Sequence, residues 1–239
     1  MEQSGFVHLG YPPPASGWVL RLLTRIQQSA SSALRERVSQ SGTSKLSELG
    51  LAVSSKIHIV GVSKRRVDSV VDQIAKEIQG RKEEVVALLN SDAAIQVRQE
   101  GVLFEALLDI EAFLFEMHST LEITETFVKL FRRSILGDVH GRREKLHECF
   151  TRLNIDQSWY ESLDRARNLF SHETAPWLAL DIQSTDPYRF DLVVLKKNVI
   201  VPRPEDYFHF DECRGMYRGY FGAMERLHEW LLAEIDACA

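Results

Sequence analysis

Arg165-Ala166-Arg167-Asn168-Leu169-Phe170-Ser171-His172-Glu173-Thr174-Ala175-Pro176 is the stretch from which the rest of the chain can be read. It holds an arginine, an asparagine directly after it, and a histidine five positions beyond that arginine. Asp156 is a helix-capping residue type, and the pattern predicts a helix from Ser158 to about His172. Pro176 stops it, because proline lacks a backbone N–H and pushes the residue before it out of the helical region. The candidate chemistry therefore sits at the end of a late helix.

Downstream, Trp177–Ile182 and Arg189–Leu195 are two strand-like runs separated by Ser184-Thr185-Asp186-Pro187, which predicts a β-hairpin. Pro202 and Pro204 mark a loop, and an amphipathic helix is expected from about Asp206 to Ala237. Upstream, Gly137-Asp138 ends a long helical pattern running from Ala93 to about Leu136, expected to be the longest helix, with a break or bend near Ser119-Thr120. Leu103, Leu107, Ile110, Leu114 and Met117 mark one of its faces, and a short helix follows over Arg142–Leu153.

Ser63 has the character of an N-cap for a helix carrying Val67, Val70, Val71, Ile74 and Ile78. Gly80 ends or kinks that helix, Glu83–Leu89 continue it, and Asn90-Ser91-Asp92 form a turn. Lys56–Val62 alternates around Ile57 and Ile59 and suggests a short strand. Residues 1–15 form an extended lead-in, and Ser16 caps a helix to about Val38. The expected fold is thus mainly α: an antiparallel helical bundle over residues 64–239 with a two-stranded insertion before its last helix, preceded by an N-terminal extension over residues 1–63.

Composition narrows the function. The chain has 239 residues and a formal charge of -5, which argues against broad non-specific nucleic-acid binding but permits a local basic groove. Cys149, Cys213 and Cys238 are far apart and odd in number, so they make neither a disulfide framework nor a zinc ribbon, as suits a reducing cytoplasm. No apolar run approaches the roughly 20 residues that span a bilayer, and no signal peptide is evident; a cytoplasmic protein is expected. His-Glu-x-x-His and paired-cysteine metal motifs are missing, and Gly215 and Gly219 lack the Lys-Ser/Thr of a phosphate loop, so neither metal nor cofactor is expected.

Arg167-Asn168-Leu169-Phe170-Ser171-His172, at the end of its helix, resembles the Arg-Asn-x-x-x-His motif of the HEPN superfamily. The Arg-to-His spacing alone is weak, since Arg142–His147 repeats it; Asn168, Phe170 and the position before Pro176 give the match its weight. The resemblance implies a metal-independent endoribonuclease, in the roles of toxin or antiviral effector, working as a homodimer on RNA, with an antitoxin or regulatory protein as a possible partner. It implies catalytic roles for His172 as general acid or base, Arg167 as phosphate clamp, and Asn168 in orienting His172 or the RNA. On a regular helix, positions five apart differ by about 140° around the axis. Arg167 and His172 can act together only if the helix loosens or a second copy completes the site. As a plain helix-end residue, His172 would instead bond the last carbonyls.

Lys145, Arg132, Arg133, Arg142, Arg143 and Arg165 are the candidate RNA-binding residues; solvated helix ends are the alternative. Glu105, Asp109 and Glu116 are placed between apolar residues, so either one of them is partly buried with a cationic partner or, more simply, they belong to an ordinary polar face. Lys64-Arg65-Arg66 is expected at the surface, and the stripe from Met216 to Leu231 in the bundle core or on a dimer face. The rival readings are a non-catalytic HEPN-like module that binds RNA, nucleotide or a protein partner, and a plain helical interaction protein.

Overall fold

A computed structural model describes residues 13–40, 43–88, 95, 97–98, 101–137, 145–171, 176–183, 189–195, 203 and 206–238. Among these are α1 (Pro13–Gln28), α2 (Ser32–Gln40), α3 (Thr43–Gln79), α4 (Lys82–Ala87), α5 (Val102–Phe131), α6 (Leu146–Arg152), α7 (Ser158–Ser171) and α8 (Glu212–Ala237). Three short strands accompany them: β1 (Trp177–Gln183), β2 (Arg189–Leu195) and β3 (Tyr207–His209). The protein is mainly helical, as expected, with a small antiparallel sheet in the order β1-β2-β3. Ala179 pairs with Val193 across the predicted hairpin, and Val193 pairs with His209 on its other side. β3 was not anticipated: it occupies residues assigned to the start of the last helix, which begins at Glu212 instead.

The largest correction concerns residues 56–63. They form neither a strand nor a helix start; α3 runs through them unbroken. Its buried residues Leu46, Val53, Val60, Val67 and Ile74 recur every seven positions, and Gly50, Lys64 and Ile78 fall on the accompanying register four residues on. A seven-residue repeat is the signature of a helix packed along one seam, and the local alternation at Ile57 and Ile59 is incidental to it. Ile59 is in fact exposed. Lys64 stands on the seam and is buried, not at the surface.

Other differences are smaller. The N-terminal helix starts at Pro13 rather than after Ser16, with Pro13 and Pro14 in a first turn that needs no N–H donors, and it breaks at Ser29 to give α1 and α2. α3, with 37 residues, is longer than α5, with 30. α5 passes Ser119-Thr120 without a break, then widens into a π-helical turn over Arg132–Leu136 that closes at Gly137, φ +66°. The turn expected at Asn90-Ser91-Asp92 lies outside the described residues.

The chain divides into two compact units: Met1–Ile59 with Thr120–Cys149 and Leu227–Ala239, and Val60–Ser119 with Phe150–Arg226. In the first unit α1 comes close to α3 at Gly50, where a side chain would collide with Val19 and lie 3.1 Å from the ring of Phe127. Trp18 stacks edge-on against Phe127 and lies 5.2 Å from the ring of His228. In the second unit Trp159 fills the notch at Gly219 and meets Tyr220 edge-on at 5.9 Å. That contact fixes α7 against α8, and α7 carries the candidate motif.

Candidate nucleic-acid site on helix α7

Asp156 starts α7 as the sequence suggested: its Oδ1 accepts from the backbone N–H of Ser158 at 3.0 Å and its Oδ2 from the Ser158 hydroxyl at 2.9 Å. These bonds hold the Asp156 carboxyl below the usual carboxylate range. Trp159, Leu163, Ala166 and Leu169 are buried at helical spacing and turn the remaining faces outward. Asn168, about 180° around the helix from Trp159, is exposed. Arg167, at the edge of the apolar stripe, is half-buried.

Arg167 and Arg165 are two residues apart, about 200° around the axis, and their side chains go to opposite flanks. The Nη1 of Arg167 donates to Nε2 of His118 on α5 at 2.9 Å. A guanidinium offers only donors, so Nε2 is the acceptor in this bond. Arg165 instead pairs with the carboxylate of Glu212 at the start of α8. The two arginines therefore do not converge on one groove.

His172, Arg142 and Arg143 lie outside the described residues. Arg132 and Arg133 sit in the π-helical turn, and Lys145 precedes α6, donating its backbone N–H to Glu148. All three belong to the first compact unit, whereas Arg165, Arg167 and Asn168 belong to the second. Of the acidic candidates, Asp109 is the buried one: it accepts from Arg66 at 2.7 Å, while Glu105 is exposed. One side chain that Arg167 bonds is a histidine on α5, a residue that was not among the three acids singled out. His118 belongs to no recognisable motif; its only sequence signal is its place as the single imidazole of α5, between Met117 and Ser119.

Lys64 donates to both carboxylate oxygens of Asp68 at 2.6 Å, and Arg214 approaches Asp68 at 3.9 Å. Cys213 is buried nearby, and burial pushes its thiol far above the ordinary range despite the Lys64 charge, so it remains an inert thiol. Among the described residues, no group of three or more His, Cys, Asp and Glu side chains is placed to hold a metal ion. No helix among them is long and apolar enough to cross a membrane. Comparison with protein-family models, curated proteins and solved structures yields no match.

Proposed function

We propose that the chain is an HEPN-type endoribonuclease that cleaves RNA without a metal, as a homodimer. The observation that supports this reading most is the hydrogen bond from Arg167 to His118. An imidazole acceptor orients the guanidinium without itself adding negative charge, which suits an arginine meant for a phosphate. In the reaction, the ribose 2′-oxygen attacks the adjacent phosphorus and the 5′-oxygen leaves, giving a 2′,3′-cyclic phosphate and a 5′-hydroxyl. His172 removes the proton from the first oxygen or supplies one to the second, Arg167 stabilises the charge growing on the phosphorane oxygens, and Asn168 orients His172 or the RNA. The 140° offset between Arg167 and His172 on a regular helix favours a site completed by a second copy.

The test is incubation of single-stranded RNA with the purified protein in EDTA, beside Arg167→Ala and His172→Ala. Cleavage by the wild type to cyclic-phosphate ends, lost in both variants, is expected. Uncut RNA across pH and salt, or equal cutting by both variants, removes the proposal. A protein-binding helical module is the second reading, favoured by the exposure of Phe104, Leu108 and Phe115 on α5.

A further inference from the structure

α5 is apolar on two opposite sides. Ala106, Ile110, Phe113 and Met117 are buried along one seam. On the other side of the helix, about 170° away, Phe104 is 78% exposed, Leu108 60% and Phe115 61%. Positions 104, 108 and 115, with Glu111 between them, follow the four-three-four spacing of a helix-packing seam. Single exposed apolar residues are unremarkable, but three large ones in one helical register form a patch of the kind that marks an interaction surface.

Charge says what fits it. Glu105 and Glu111 are exposed beside the stripe, and Glu116 is half-buried further along the helix. α5 carries no lysine or arginine before Lys129. Among the described residues, two cations that reach this part of the helix are engaged on its other flank: Arg66 with Asp109 at 2.7 Å and Arg167 with His118 at 2.9 Å. A second copy laid on the same stripe would bring another Glu105 and Glu111 against the first pair, with no opposing charge from either helix. Like charges facing each other across a helix pair are destabilising. We infer that the face formed by Phe104, Leu108, Glu111 and Phe115 docks an amphipathic helix of a protein partner, one whose apolar stripe is flanked by lysine and arginine. This is the helix-against-helix mode of recognition, read as anchors at i, i+4 and i+11. It does not depend on nuclease activity.

The probes are two synthetic peptides with the same leucine and phenylalanine stripe at i, i+4, i+7 and i+11, one flanked by lysine and one by glutamate. Fluorescence anisotropy against the full chain measures each. The lysine peptide is expected to bind at least about tenfold tighter, with an advantage that shrinks as salt screens the rim. A Phe104→Ser/Phe115→Ser variant loses that binding at least about tenfold, and Glu105→Lys/Glu111→Lys reverses the preference between the peptides. Circular dichroism checks that both variants keep the wild-type helix content; the charge-reversed pair, which removes no apolar side chain, decides the matter if the serine variant misfolds. Equal binding of the two peptides, binding of neither, or binding undiminished by the substitutions overturns the inference. So does light scattering that shows a dimer dissociated by Phe104→Ser/Phe115→Ser, which would assign the face to a second copy.

Discussion

Arg167 and His118 are joined across two helices by a 2.9 Å hydrogen bond in which the imidazole is the acceptor. The direction of that bond makes the role of His118 separable from that of Arg167. In the RNA cleavage proposed above, Arg167→Ala is expected to lower the single-turnover rate on the order of 10²–10³-fold, the usual effect of removing a group that stabilises transition-state charge. His118→Ala leaves the guanidinium present but less well placed and should cost on the order of tenfold, about 1.4 kcal/mol. His118→Gln, which still offers an acceptor oxygen, should recover most of the loss, and His118→Lys, which sets a cation against Arg167, should do worse than alanine. A His118→Lys variant as active as the wild type would show that the contact positions nothing.

His228 gives the first compact unit a dependence on pH. Its ring is buried against Trp18, with Nε2 on the Trp18 carbonyl at 2.9 Å, and burial holds its pKa below the ordinary value of 6.5. Above about pH 6.5 the ring is neutral in both folded and unfolded chains and has no effect on the balance. As pH falls below that, the unfolded chain takes up the proton first. It then binds more protons than the folded chain, and stability declines until the pH has passed the lower, folded value. The urea midpoint should therefore drop between pH 7 and pH 5, and drop less in His228→Gln, which keeps a donor for the carbonyl. An identical drop in that variant rules His228 out as the cause.

Lys64 and Asp68 should respond asymmetrically to substitution. The Lys64 side chain is 7% exposed and that of Asp68 42%, so the ammonium is the group that depends on the pair. Asp68→Ala strands a buried charge and is expected to cost roughly 2 kcal/mol, below the 3–5 kcal/mol of a fully buried pair because Asp68 is partly in water. Lys64→Met places an apolar side chain on an apolar seam and should be neutral or stabilising. Chemical denaturation of the two variants decides it; a larger loss from Lys64→Met than from Asp68→Ala reverses the assignment.

Gly219→Ala is expected to destabilise the protein by about 1–3 kcal/mol, the cost of overpacking, because the new methyl group would fall on the Trp159 side chain. Trp159 cannot easily withdraw: it is buried, and its Nε1 donates to the Asp156 carbonyl at 2.9 Å. A thermal unfolding midpoint unchanged from the wild type would mean that α7 and α8 separate without cost.

How much of this could be read beforehand depended on the distance over which each pattern repeats. The cap at Asp156, the stop near Pro176 and the hairpin of β1 and β2 follow from residues within a few positions of one another, and all three lie where expected. The seam of α3 is visible only over five repeats, and a reading confined to Ile57 and Ile59 mistook it for a strand. β3 has three residues and owes its pairing to β2, so no local pattern could announce it. At the candidate site Arg167 and Asn168 were singled out from their order in the sequence. His118 lies 49 positions away from Arg167 and meets it only because α5 and α7 pack together.

The two glycine notches have a bearing on descent. A chain derived from the same ancestor can enlarge position 219 while keeping Trp159, or position 50 while keeping Val19, only at a cost in packing. In each pair, one side is held small for as long as the other stays large. Substitutions at positions 50 and 19, and at 219 and 159, should therefore be inherited together, leaving a mark of kinship that outlasts the motif on α7.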